Sequence, residues 1–221
     1  MSEGALTVAV LDYRAGNLTS VVKALRAAGA DGVVVADAAV DAARLAAADA
    51  IVIPGVGHFA ATQAIAADCR QAILRGVERR VPLLGICLGM QFLFEGSDEA
   101  PDAPGLALIR GRCARLPSTV KVPHVGWNDL SIGPSRLLDG VPDGTQAYFT
   151  HSFAAPVTPE TIATAEHGGT FAAAVERQNV YGVQFHPEKS SAAGLRILRA
   201  FLAFAKAGAL AHGSDRCFPN A

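Results

Sequence analysis

Val81-Pro82-Leu83-Leu84-Gly85-Ile86-Cys87-Leu88-Gly89-Met90-Gln91 joins an apolar run to the start of a helix through a glycine-flanked cysteine. The apolar residues up to Ile86 read as a short buried strand, and the residues after Cys87 as a helix. A sharp strand-to-helix turn needs small neighbours, because its backbone is strained and closely packed. Such a turn pushes the cysteine side chain outward, with its sulfur at the start of the next helix. Unpaired N–H groups and partial positive charge there stabilise a thiolate. The N–H of Leu88 is then a candidate oxyanion donor. The plainer alternative is a buried cysteine ahead of a helix.

Upstream of this turn, strands alternate with helices. Leu6 to Leu11 is a continuous apolar run, expected of a strand covered on both faces. Asn17 is expected to cap a helix to about Ala28, with Leu18, Val21, Val22 and Leu25 on one face and Gly29 as terminator. Val33–Val35 and Ile51–Ile53 are the next strands, with helices over Ala38–Ala48 and about Thr62–Arg79. This alternation implies an α/β fold with a mostly parallel central sheet flanked by helices. Ligands bind such sheets at the carboxyl ends of strands, where Cys87 falls.

Downstream the pattern changes. Leu106–Leu116, Lys121–Ile132, Ala147–Ala154, Thr161–Glu166, Phe171–Glu176 and Val180–Phe185 read as successive strands, some separated by turns at Asp143-Gly144 and Gly168-Gly169. They add antiparallel strands to the second half. A last helix runs from Ser191 to about Ala207, with Leu195, Leu198, Phe201 and Leu202 on its apolar face and Gly208 at its end. One domain over residues 1–208 is expected, with 209–221 a polar tail, read as disordered.

Two further segments supply what a nucleophilic cysteine requires: a base, a group to orient it, and oxyanion donors. In Gln184-Phe185-His186-Pro187-Glu188, residues two apart in extended chain share a side, so Glu188 can orient His186. Pro54-Gly55-Val56-Gly57 follows a strand, and its glycines let the backbone approach a ligand and aim an N–H at it. By itself this segment reads equally well as an ordinary glycine turn. It is no phosphate loop: no Gly-Lys-Ser/Thr follows, and position 60 is alanine.

Composition narrows the classes further. Of 221 residues, 51% are hydrophobic and 18% charged, enough apolar material for a sizeable core, and the net charge is −1. Neither a nucleic-acid surface nor a membrane span is expected. The opening residues lack a basic n-region, and four cysteines do not make a disulfide framework. A reduced, cytoplasmic protein is therefore expected, with Cys69, Cys113 and Cys217 as buried or incidental thiols. No ligand spacing for a metal and no cofactor motif is present.

Pro54–Gly57, Gly85–Gln91 and Gln184–Glu188 resemble, in order and approximate spacing, the motifs of class I glutamine amidotransferases. More narrowly, Lys121-Val122-Pro123-His124-Val125-Gly126-Trp127-Asn128 and Tyr148-Phe149-Thr150-His151-Ser152-Phe153 resemble the glutaminase subunits of imidazole glycerol phosphate synthases, enzymes of histidine biosynthesis. The resemblance spans about Val8 to Leu202. It implies a Cys87–His186–Glu188 triad that hydrolyses glutamine through a glutamyl thioester. Gly55, Val56 and Leu88 form the implied oxyanion hole. Gln91, Glu99 and the His151-Ser152-Phe153 segment form the implied glutamine pocket. It also implies a (β/α)8-barrel cyclase partner that receives ammonia through an internal channel and activates the glutaminase. Lys121, Pro123, His124, Trp127, Asn128 and Lys189 are expected on or near that interface, although a lone tryptophan in a strand also suits a core. Alternatives are the amidotransferase component of anthranilate synthase or pyridoxal phosphate synthase, a non-catalytic α/β protein, and a cysteine protease or esterase.

Overall fold

The computed structural model describes residues 6–215. In its first half β1 (Thr7–Asp12), α1 (Leu18–Ala27), β2 (Gly32–Asp37), α2 (Ala42–Ala47), β3 (Ala50–Ile53), α3 (Ala67–Glu78), β4 (Leu83–Ile86) and α4 (Leu88–Leu93) alternate. There follow β5 (Gly96–Ser97), β6 (Ala100–Pro104), β7 (Arg112–Arg115), β8 (His124–Asp129), β9 (Ser131–Ile132), β10 (Gln146–His151), β11 (Phe153–Ala154), β12 (Thr161–Glu166), β13 (Thr170–Arg177), β14 (Val180–Val183) and α5 (Ser191–Asp215).

The main sheet has eight strands in the order β2-β1-β3-β4-β14-β13-β12-β9. The five from β2 to β14 are parallel, and β13, β12 and β9 continue the sheet antiparallel. Antiparallel β8 and β10 form a separate ribbon, and β11, β7, β5 and β6 a small third sheet.

Period-two alternation explains how β1 serves two cores. Val8 and Val10 face a cluster with Val21 and Leu25 of α1 and Ile197, Leu198, Phe201 and Leu202 of α5. Ala9 and Leu11 face the opposite cluster, with Leu45 of α2 and Cys69 and Ile73 of α3. Strands β3, β4 and β14 are buried along their whole length, as continuous apolar runs between two helical layers should be. Each fully buried Leu, Ile or Phe contributes about 1.5–3 kcal/mol of transfer free energy. No helix among the described residues is long and apolar enough to cross a membrane.

Several expected boundaries move. The stretch 106–111 is irregular, and only Arg112–Arg115 of Leu106–Leu116 is strand. Its early residues instead return backbone bonds to α4, Leu106 N–H to the Phe92 carbonyl at 2.7 Å and Leu108 N–H to the Leu93 carbonyl at 2.9 Å. Ala38–Ala48 shortens to α2, and Thr62–Arg79 divides into a 3-10 segment, Phe59–Ala64, and α3. Gly208 does not end the last helix, which continues to Asp215. The expected polar tail is thus helical up to that residue, and 216–221 lie outside the described residues, Cys217 among them.

Candidate active site

Cys87 ends β4 and opens α4 at φ 53° and ψ −108°, a backbone state disfavoured for any residue but glycine. Its N–H donates to the Val183 carbonyl of β14 at 2.8 Å, which pins the turn to the sheet. Both flanking glycines are required by close approach. A Cβ on Gly85 would lie 2.5 Å from the Gly89 carbonyl oxygen, and one on Gly89 only 1.7 Å from that of Ile53. The cysteine borders a cleft of about 280 Å³ lined also by Gly57, Leu88, Gln91, Glu99, Pro123 and Thr150–Phe153.

β14 lies beside β4 with Val183 opposite Ile86, so the residues that follow each strand meet at one sheet end. His186 Nδ1 donates to Glu188 Oε1 at 2.8 Å, and both side chains are about 1% exposed. The extended spacing expected for this pair is not what joins them. Pro187–Lys189 is a 3-10 turn that folds Glu188 back onto the imidazole. Nε2 of His186 and Oε2 of Glu188 are buried with no hydrogen-bond partner. With Nδ1 committed to Glu188, Nε2 is the atom left toward Cys87. Burial alone would lower the His186 pKa, but the interactions with Cys87 and Glu188 outweigh it and raise it to about 9.

Glu188 Oε1 accepts a second hydrogen bond, from Asn17 Nδ2. Asn17 was expected to cap α1. It stands at the cap position but makes no side-chain cap bond and adopts a left-handed φ of 58°. Arg14 and Gly16 also have positive φ, so a tightly wound turn carries Asn17 to the carboxylate. The Gly-Asn pair is the sequence signal for that turn, since these two residues tolerate the left-handed region best.

The expected oxyanion donors are adjacent to Cys87 but engaged elsewhere. Leu88 N–H donates to the Gly55 carbonyl at 3.2 Å, and Val56 N–H to the Ala15 carbonyl at 3.0 Å. In this conformation no formed oxyanion hole exists at Gly55, Val56 and Leu88. Gly55 has no room for a side chain, because a Cβ would lie 2.0 Å from Tyr13 Oη. That hydroxyl is buried without a partner, and burial, with the charge of Cys87, pushes its pKa up.

The expected pocket residues do line the cleft. Gln91 Nε2 donates to the Phe153 carbonyl at 2.8 Å and to Gln184 Oε1 at 3.0 Å. Both its N–H groups are thereby committed, which leaves Oε1 as an acceptor for a ligand. Glu99 Oε2 accepts from Phe59 N–H at 2.7 Å. His151 Nδ1 must donate to the Phe153 carbonyl (3.0 Å), so its Nε2 accepts from His124 Nδ1 (3.1 Å), whose Nε2 faces Asn128 Nδ2 (3.3 Å). Burial, with His167 beside it, drives His124 down to about 4, and burial drives His151 down to about 3, so both are neutral near pH 7.

Among the expected interface residues, Lys121, Pro123 and Lys189 are exposed and Asn128 half-buried. Trp127 is 50% exposed, which removes the core reading. It stands edge-on to Tyr148, its partner across the β8–β10 ribbon, and Lys189 Nζ lies 5.5 Å from the Tyr148 ring centre. His124 is buried beneath this face, stacked on Phe149 and His167. Gln184 went unassigned in the sequence, although its position two residues before His186 placed it on the same side of the chain.

The family model for glutamine amidotransferase class-I matches residues 9–204 of the chain. A protein of Halobacterium salinarum described as imidazole glycerol phosphate synthase subunit HisH is 46% identical, covering 89% of this chain and 92% of its own length. HisH of Methanothermobacter thermautotrophicus is 44% identical, covering 90% of this chain and 100% of its own. Among solved structures, a putative GMP synthase component from Thermoplasma acidophilum superposes with a TM-score of 0.73 at 19% identity, over 96% of this chain and 99% of that one. At that identity it speaks to the fold alone.

Proposed function

This chain belongs to the glutamine amidotransferase class-I family, and we propose that within it the chain is the glutaminase subunit of an imidazole glycerol phosphate synthase. It hydrolyses glutamine to glutamate and ammonia. The observation that carries this reading is the meeting of Cys87, on its strained turn, with the buried His186–Glu188 pair beside a cleft of amino-acid size.

The sulfur of Cys87 attacks the side-chain carboxamide carbon of glutamine. His186 delivers a proton to the departing ammonia, and a glutamyl thioester remains. His186 then takes a proton from water as that water attacks the thioester, and glutamate leaves. Glu188 holds the imidazole in one direction and stabilises its cation. Gln91 offers its carbonyl oxygen to the substrate's amino-acid end, and Glu99 and His151-Ser152-Phe153 complete the pocket.

The tetrahedral intermediate needs donors that are occupied at rest. Both bonds that occupy them belong to one peptide plane, because the Gly55 carbonyl and the Val56 N–H are the two faces of the same unit. A half-turn of that plane releases Leu88 N–H and brings Val56 N–H to the place the carbonyl left. The cost is two backbone hydrogen bonds of about 1 kcal/mol each. Activation by a liganded partner supplies that cost.

The partner is a (β/α)8-barrel cyclase, which takes the ammonia through an internal channel and forms imidazole glycerol phosphate and aminoimidazole carboxamide ribonucleotide. The exposed Trp127, with Val125 and Tyr148 on the same ribbon, offers an aromatic anchor of the kind that dominates interfaces. Release of glutamate from glutamine, measured with the chain alone and with the barrel plus its nucleotide, tests the whole reading. Strong stimulation by the liganded barrel is expected. Activity indifferent to the barrel would reject the synthase assignment, and no glutamate in either condition would reject the glutaminase.

A further inference from the structure

Gln184 is fully buried on the segment that links β14 to His186, and its backbone N–H donates to the Ala173 carbonyl at 2.8 Å. Its side-chain nitrogen lies 3.5 Å from the sulfur of Cys87, a normal donor-to-sulfur distance. The neighbouring network fixes which end of the amide faces the sulfur. The Phe153 carbonyl can only accept, so the group of Gln91 that meets it is the nitrogen. The second N–H of Gln91 then meets Gln184 Oε1. The NH2 group of Gln184 is left toward Cys87.

Besides His186, a further polar neighbour of the sulfur has the opposite character. The Thr150 carbonyl lies 3.8 Å away and can accept a hydrogen bond from the neutral thiol. It repels an ionised sulfur. The Gln184 N–H group does the reverse, since a donor stabilises the anion more than the neutral form. Sheet geometry makes this contact stiff, because Gln184 is anchored by its own backbone and by Gln91 on α4.

We infer that Gln184 is a further catalytic residue, donating a hydrogen bond to the sulfur of Cys87 and favouring its ionised, attacking form. The inference rests on the reading of Cys87 as the nucleophile. Through Gln91 the same amide ties the sulfur to a residue of the substrate pocket, so occupancy of the cleft and readiness of the nucleophile share one hydrogen-bond chain.

The test is the rate of Cys87 alkylation by iodoacetamide across pH, read by peptide mass on the full chain, for wild type, Gln184→Met and Gln184→Glu. The groups that act on the sulfur or share its pocket, His186, Tyr13, His151 and Glu99, are unchanged in both variants. Loss of a hydrogen bond to a charged acceptor predicts alkylation about tenfold slower at pH 7, with the curves converging at high pH. The kcat for glutamine should fall by a similar factor. Gln184→Glu keeps the shape and the acceptor for Gln91 but sets a negative charge against the sulfur, so it should slow alkylation further. If Gln184→Met does not fold, as judged by thermal melting, an unslowed Gln184→Glu overturns the inference. Alkylation curves that superimpose on wild type, with only KM for glutamine raised, would overturn the inference and leave Gln184 as a support for Gln91. Slowed alkylation in a chain whose wild type releases no glutamate would uphold the contact to sulfur and reject the glutaminase reading instead.

Discussion

Glu188 receives both its hydrogen bonds on one oxygen, one from His186 and one from Asn17, while its other oxygen is buried without a partner. A buried carboxylate in that position depends heavily on each donor. Asn17→Ala should therefore lower kcat about tenfold with little change in KM, as the carboxylate loses the contact that aims it. Asn17→Asp should do worse, by placing a second carboxylate against the first. Steady-state kinetics on both variants check this, and an unaltered kcat would rule out a positioning role. The same site predicts a pH dependence. Because the folded His186 pKa is about 9, above its ordinary value of 6.5, its stabilising contribution is complete below about 6.5 and is lost as pH rises through about 9. Melting temperature should fall across that window, and fall less in Cys87→Ala, which lacks one of the groups that raise the pKa. At this scale Cys87, His186 and Glu188 were legible, because each stands in a short motif with its own local geometry. Asn17 holds the expected cap position, but the partner of its side chain was not legible, because it lies 171 residues away along the chain and no local pattern announces it.

Between the end of β3 and the start of α4, the Gly55 turn is wedged among Tyr13, Leu88 and the Ala15 carbonyl. Gly55→Ala would not probe flexibility alone, since its Cβ would collide with Tyr13 Oη. It should destabilise the chain by about 1–3 kcal/mol through overpacking. Tyr13→Phe removes a hydroxyl that has no partner, so by itself it should be neutral or slightly stabilising. Combined with Gly55→Ala it should restore more than half of the lost stability. Denaturant unfolding of the four proteins gives the coupling directly, and strict additivity would remove the steric explanation. Elements with an apolar period were readable from sequence: β3, β4, α1 and β14 lie within a few residues of where the pattern placed them. The stretch 106–111 was not, because its apolar residues fill the space beside α4 while its backbone bonds go to that helix and not to a strand. β5 and β6 carry too few apolar residues to register any period.

Over the whole molecule, parallel strands place the candidate catalytic groups at one sheet end and leave the β8–β10 ribbon facing outward with Trp127 half exposed. A tryptophan so placed contributes little to the monomer. Trp127→Ala should leave the melting temperature and unstimulated turnover nearly unchanged, yet weaken barrel binding by about 2 kcal/mol, roughly thirtyfold. Titration calorimetry with the barrel would detect this, and full retention of affinity would move the docking face elsewhere. The fold class was legible because strand–helix alternation and the glycine-flanked turn report topology directly. Which residues of the Lys121–Asn128 segment point outward was not, since β8 alternates His124, Gly126 and Asn128 on its inner face with Val125, Trp127 and Asp129 on its outer one, and the more apolar face is the outer. The adjacency of β4 and β14 has one more consequence, in time. The cysteine and its base follow neighbouring strands that are about 100 residues apart along the chain, which a ribosome adds in roughly 5–20 s. During that interval the emerging polypeptide holds Cys87 without His186 and Glu188 beside it. On the proposed mechanism, chemical competence arrives only when β14 inserts, so a chain terminated before it should release no ammonia.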